Sequence, residues 1–170
     1  MGLWYDPAFV AGICATALGL AYGFNHLFAP RSAAVALTLM LIMLWCAEWA
    51  IYFLPRPPDP TWLLAGLDLI GALGSWLCWR QARRGWKEVL TISFIAAIVV
   101  QIARSLEALA NPAEFGPHTA GADTFTAMRN VLFFVQVSCC GWSGGSRAGA
   151  WICSYLPGHS PGRHRVGSGR

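Results

Sequence analysis

The chain has 170 residues, of which 56% are hydrophobic and only 12% are charged, and its formal net charge is +4. Soluble domains carry about 25% charged residues, so this composition excludes an ordinary water-soluble monomer. The positive charge does not indicate a nucleic-acid partner, because most basic residues flank apolar segments and no base-reading motif is present.

Five segments in chain order are candidates for membrane-spanning helices. A helix needs about 20 mainly apolar residues to cross the hydrocarbon core of a bilayer. The first four segments meet this requirement, whereas Arg129, Asn130 and Gln136 interrupt the fifth. The sequence therefore predicts an all-α polytopic membrane protein with a bundle of five helices, or of four helices as the alternative. The predicted spans are about 9–28, 33–54, 62–79, 88–105 and 125–142.

The first and third segments carry small residues four positions apart, which places them on one face of each helix. Small residues let two helix backbones approach closely in lipid. The pattern predicts helix packing, either inside one bundle or between copies of the chain. These residues are Ala11, Ala15, Gly19 and Gly23 in the first segment, and Gly71 and Ser75 in the third.

Two carboxylates lie inside the predicted spans, Glu48 in the second and Asp68 in the third. If these segments form an antiparallel hairpin, both acids lie roughly 10 Å below the same membrane boundary. Intramembrane ionisable groups usually face the bundle interior, where they pair or mark an ion path. A structural ion-pair network, a water-filled vestibule and a proton-carrying site all remain open. The predicted polar cluster is Glu48, Asp68, Gln101, Arg104 and Arg129.

The distribution of basic residues predicts the orientation of the chain. The loop after the third segment is basic and is expected to be cytoplasmic, which puts the N-terminus outside and the C-terminus inside a bacterial-type inner membrane. Residues 1–142 are the predicted transmembrane bundle. Residues 143–170 are rich in Gly, Ser and Arg, so a mobile cytoplasmic tail is expected there. The basic loop residues are Arg80, Arg83, Arg84 and Lys87.

No recognisable catalytic, metal-binding or nucleotide-binding motif is present. The four histidines are scattered, the six cysteines lack metal-ligand spacing, and the glycines near position 144 lack the phosphate-loop pattern. We therefore expect neither an enzyme nor a protein with a cofactor or a bound metal.

Three classes of function fit this layout. The first, ranked slightly ahead, is a membrane-permeabilising, pore-forming protein of the phage-holin type that acts by helix self-association. The second is a small ion- or proton-coupled transporter or channel subunit that uses Glu48 and Asp68. The third is a membrane scaffold or assembly subunit. The expected partners are the lipid bilayer and either a second copy of the chain or another membrane protein.

Overall fold

The computed structural model describes residues 7–30, 32–53, 61–111 and 120–155, and these residues form five α-helices. Pro30 follows the first helix, consistent with a residue that cannot continue one. The hydroxyl of Ser32 donates to the carbonyl oxygen of Ala29 (2.7 Å) in the same turn. The helices are α1 (Pro7–Phe28), α2 (Ala33–Phe53), α3 (Thr61–Gln81), α4 (Gly85–Ala110) and α5 (Ala120–Tyr155).

Helices α1 to α4 are each long and apolar enough to cross a membrane. Large apolar side chains cover their outer surface, including Ile70, Ile92 and Val99, each more than half exposed. Such a surface suits contact with lipid. The prediction of an all-helical fold is thus confirmed, and four of the helices fit a membrane protein. The prediction of a fifth span is not established. Helix α5 is long, but it is not among the helices that are both long and apolar enough to cross a membrane.

The helices form a ring in which each packs against the next and α5 packs back against α1. Helices α2 and α5 also contact each other across the ring. This diagonal contact divides the interior into a three-helix side, made by α1, α2 and α5, and a four-helix side, made by α2, α3, α4 and α5. The two sides contain different polar groups.

The α3–α4 interface is close because a glycine faces a large aromatic ring. A Cβ atom at Gly71 would overlap the ring of Phe94. One turn further along α3, the hydroxyl of Thr91 donates to that of Ser75 (3.0 Å). These contacts make the two helices antiparallel. The predicted packing residues Gly71 and Ser75 therefore lie inside one bundle, where small side chains allow close helix approach.

Helices α1 and α5 run in the same direction and are also very close. A Cβ atom at Gly144 would lie 2.6 Å from the carbonyl carbon and oxygen of Phe24. A Cβ atom at Gly141 would meet that of Ala21 at 3.6 Å. Only residues without a large side chain permit this approach of two helix backbones.

The prediction of a mobile tail from residue 143 is wrong for residues 143–155, because α5 continues to Tyr155. The Gly- and Ser-rich composition favours disorder. In the structure, Gly144 and Ala148 are buried along α5, and Trp151 contacts the ring of Phe28 on α1. The remaining part of the predicted tail, 156–170, lies outside the described residues.

The ends of the helices also differ from the predicted spans. Helix α4 begins three residues earlier than predicted, at Gly85, and ends at Ala110 instead of 105. Its end is capped by Asn111, whose backbone N–H donates to the carbonyl oxygen of Glu107 (2.8 Å). The apolar run indicated the part of the helix that suits lipid, and the helix extends beyond it at both ends.

Candidate functional site

A polar centre, formed by Glu48, Gln101 and Arg129, occupies the four-helix side. Arg129 on α5 makes a salt bridge with Glu48 on α2, and the two side chains are only 18% and 20% exposed. The amide oxygen of Gln101 on α4 faces the guanidinium, as the hydrogen-bonding pattern requires, and accepts from its Nε (3.0 Å) and Nη1 (3.1 Å). One residue from each of three helices thus meets here, and the charges of the pair balance.

Asp68 lies at nearly the same depth on α3 but outside this network. A Cβ atom at Gly74 would touch the sulfur of Met40, so these two residues are opposite each other in the antiparallel pair of α2 and α3. Counting eight residues from each, in opposite directions along the chain, places Glu48 opposite Gly66. Asp68 is two residues further along, a difference of about 3 Å. Its side chain is 9% exposed, and its Oδ2 atom has no hydrogen-bond partner in the described part of the chain. Asp68 is therefore a buried carboxylate without an ion-pair partner among the residues that the structure describes.

The heptad-like pattern of buried residues explains why these groups face inward. On α3, Leu64, Asp68 and Ser75 are buried on one face. On α4, buried positions recur from Lys87 through Leu90, Phe94, Ala97 and Gln101 to Ser105. Spacings of three and four place such residues on a single stripe, the geometry of antiparallel helix packing. The polar residues thus occupy positions that would otherwise hold core apolar side chains.

The fifth member of the predicted cluster, Arg104, does not join the polar centre. Its side chain is half-buried, and it has no ion-pair partner among the residues that the structure describes. Ser105, beside it, is buried with an unpartnered hydroxyl oxygen. Of the five predicted residues, the structure therefore joins Glu48, Gln101 and Arg129 directly and leaves Asp68 and Arg104 separate.

The predicted small-residue face of α1 points away from the bundle. A Cβ atom at Gly19 or Gly23 would meet nothing within 4 Å, and Ala15 is exposed. Helix α1 instead packs through Cys14, Leu18, Ala21 and Asn25, which are all buried. The expected packing of Gly19 and Gly23 inside one bundle is therefore not found, and their face is open to the surroundings.

The three-helix side contains a second polar group that the sequence analysis missed, the Asn25 junction. Asn25 is fully buried. Its Nδ2 donates to the hydroxyl of Thr38 on α2 (3.0 Å) and to the carbonyl oxygen of Cys140 on α5 (2.7 Å). Its Oδ1 accepts from the backbone N–H of Gly144 (2.9 Å). The available signal was an amide residue inside an apolar segment, where it needs a partner.

The predicted basic loop forms one end of the bundle. The guanidinium of Arg80 lies 5.0 Å from the ring centroid of Trp76, and that of Arg83 lies 5.5 Å from that of Trp79. Lys87 is buried, and its ammonium donates to the carbonyl oxygen of Cys78 (2.9 Å). The same carbonyl oxygen, in the last turn of α3, also accepts from the backbone N–H of Ala82 (3.4 Å).

The described residues show no obvious ligand set for a metal. They contain no group of three or more His, Cys, Asp or Glu side chains close enough to hold an ion. All six cysteines are free thiols. Comparison with models of known protein families, with curated protein sequences and with solved structures gives no match.

Proposed function

We propose that this chain is a small multi-pass membrane protein that binds a proton or a small monovalent cation at Asp68 and conducts it through the four-helix side. The observation that carries the proposal is the contrast between two acids at one depth. Glu48 is neutralised by Arg129, whereas buried Asp68 has no ion-pair partner among the residues that the structure describes.

The energetic argument is that an isolated buried charge is far more costly than a paired one. Because the protein supplies no cation to Asp68 from its described residues, a proton or cation from solution is the natural partner. Intramembrane carboxylates of this kind mark proton relays and ion paths in membrane proteins. The salt bridge beside Asp68 would then act as a fixed framework that holds α2, α4 and α5 around the path.

The distribution of cations supports the predicted orientation. Arg84, Lys87 and Arg147 all lie at the end of the bundle where α1 ends and α2 begins. The positive-inside rule makes this end cytoplasmic. The N-terminus is then on the side of the inner membrane that faces away from the cytoplasm. Helix α5 runs parallel to α1 and serves as the fifth crossing, which leaves the C-terminus in the cytoplasm.

The test is ion flux in proteoliposomes that contain a pH-sensitive dye, driven by a potassium diffusion potential. We expect Asp68→Asn to lower the proton flux at least about tenfold, which corresponds to about 1.4 kcal/mol at the binding step. The matched control is Glu107→Gln, the same chemical change at an exposed carboxylate on α4.

Both variants should remain monodisperse in detergent, which separates loss of transport from loss of folding. Wild-type proton flux in Asp68→Asn would contradict a proton-binding role. Repeating the assay with sodium and potassium gradients then tests the cation. If the wild-type protein carries neither protons nor these cations, the proposed conduction is wrong.

A second candidate function is supported by the open face of α1. Gly19 and Gly23 are accessible, and two such faces can bring helix backbones together in lipid. Self-association of this kind would suit a membrane-permeabilising protein of the phage-holin type. Sudden loss of viability on expression, with release of a cytosolic reporter enzyme, is its expected phenotype.

Gly19→Leu tests this second candidate. The matched control is Gly66→Leu, because Gly66 on α3 also has open space around it. We expect Gly19→Leu alone to abolish both large oligomers and reporter release. Growth with an intact membrane during expression of the wild-type protein would exclude lesion formation and leave the transport proposal in place.

A further inference from the structure

We propose that the basic end of the bundle holds a binding site for a phosphate-bearing anion, namely the headgroup of an anionic phospholipid. A cleft of about 940 Å³ opens there between the start of α2, the α3–α4 connection and the later part of α5. We call it the basic cleft. Its charged lining residues are Arg84, Lys87 and Arg147, and its hydroxyl-bearing ones are Ser32, Ser138, Ser143 and Ser146.

The cations of the basic cleft are not neutralised by acids. No carboxylate is among the described residues that line it. The ammonium of Lys87, only 4% exposed, donates to the carbonyl oxygen of Cys78. Arg147 donates from its Nη1 to the carbonyl oxygen of Phe28 (3.4 Å). Both cations are therefore held by carbonyl oxygens near helix C-termini and not by carboxylates. Arg84 and Arg147 are exposed, so their guanidinium groups can reach an anion.

Two helix N-termini add to this positive potential. Helix α2 begins at Ala33 and α4 begins at Gly85, and both residues line the basic cleft. The N-cap residue of α4, Arg84, makes no side-chain capping hydrogen bond. The first N–H groups of a helix lack intrahelical acceptors and carry partial positive charge, so they suit a phosphate oxygen.

The apolar part of the lining identifies a lipid as the source of the phosphate. Trp86 and Trp142 form part of the wall, and Trp142 is 65% exposed. Val89, nearly half exposed, continues the wall along α4. Indole rings favour the headgroup region of a bilayer, and basic pockets between membrane helices bind anionic headgroups. The phosphate would contact the cations, and the acyl chains would lie along the apolar wall.

This inference does not depend on ion conduction through Asp68, because the basic cleft lies at the opposite end of α4 from the polar centre. The experiment uses the full chain, purified in detergent and depleted of lipid. Native mass spectrometry during titration with phosphatidylglycerol gives its affinity, and phosphatidylcholine serves as the zwitterionic comparison. We expect phosphatidylglycerol to bind more tightly.

The decisive variant is Arg84→Gln with Arg147→Gln. Because each cation contributes to contact with anionic lipid, we expect binding to weaken about tenfold or more. The matched control, Arg80→Gln with Arg83→Gln, removes the same charge from exposed positions at the same end. It should retain wild-type affinity. Arg84→Lys with Arg147→Lys should retain most binding if charge is what matters.

Equal losses in the cleft variant and the control would overturn the proposal, since they would indicate attraction by surface charge alone. Equal affinity for the two lipids would also overturn it. A competition arm uses inorganic phosphate at millimolar concentration. Retention of phosphatidylglycerol supports the lipid as the ligand, whereas its displacement supports the same phosphate site with a free anion as its ligand.

Discussion

The two sides of the ring hold their helices together with different chemistry. On the three-helix side, neutral Asn25 forms hydrogen bonds with two neighbouring helices and is fully buried. On the four-helix side, the contacts involve the charged pair Glu48 and Arg129, and Asp68, at nearly the same depth, has no ion-pair partner in the described part of the chain. On the neutral side the side chain of Asn25 has its polar atoms satisfied within the fold, whereas the charged side retains a buried carboxylate, Asp68, outside its salt bridge.

The two kinds of polar contact differ in what they cost the fold. A neutral amide satisfied by helix neighbours fixes the crossing of α1 and α5 without introducing charge into the bundle. A salt bridge in the same role is a costly way to join helices, because its desolvation offsets much of the attraction. The buried charges of the four-helix side are therefore harder to explain by stability alone than the neutral contacts of the three-helix side. Variants on each side measure how much its polar contacts stabilise the bundle.

The largest expected effect is on the charged side, in Arg129→Met. Removal of the guanidinium leaves Glu48 as a buried acid without its cation and Gln101 without its donor. We expect a loss of about 3–5 kcal/mol in the free energy of unfolding, because breaking a buried pair strands its other charge. Titration with a denaturing detergent, followed by far-ultraviolet circular dichroism, measures this loss.

The control for that variant is Glu48→Met combined with Arg129→Met. Because both charges are removed together, the double variant should recover most of the stability. An equally unstable double variant would show that Arg129 stabilises the bundle through contacts other than its charge.

On the neutral side, Gly144→Ala tests the close contact between α1 and α5, and its expected loss of stability is smaller. The added methyl group would meet the backbone of Phe24, which cannot move without separating α1 from α5. We expect a loss of about 1–3 kcal/mol in the free energy of unfolding, the usual range for overpacking. Gly145→Ala is the matched control, because that position has open space. Equal stability of the two variants in the same detergent titration would contradict the close α1–α5 contact.

The sequence was sufficient for the membrane helices because each is a long apolar run between breaking signals, and hydrocarbon imposes that length. It also placed Glu48, Gln101 and Arg129 toward one side of the membrane, and these three meet. Which groups would pair could not be deduced. Apart from Thr38 and Glu48, helix α2 is apolar on every face, so hydrophobic periodicity does not specify which face is directed toward α5.

The later part of α5 shows a different failure of sequence reasoning. The Gly- and Ser-rich composition of residues 143–149 favours disorder. Their spacing gave the opposite indication, because Gly141, Gly144 and Ala148 recur at intervals of three and four and form a smooth helix face. This spacing indicates a packed helix only when another helix is known to lie against the small-residue face. The partner was the buried face of α1, not the Gly19 face that the sequence analysis selected.

The smallest expected loss of stability is that of Thr38→Val, which removes one hydrogen bond of the Asn25 junction. Thr38→Val removes the hydroxyl that accepts from Asn25, while Asn25 keeps its bonds to Cys140 and Gly144. We expect a loss of about 0.6 kcal/mol in the free energy of unfolding, the average for one hydrogen bond between membrane helices. Thr16→Val is the matched control, because its hydroxyl bonds only within α1, to Gly12 on an exposed face. If the Thr38 variant loses no more than this control in the detergent titration, the stability of the junction comes from the α1–α5 bonds alone. The three-helix side would then be held by two helices, with α2 packed against them by apolar contact.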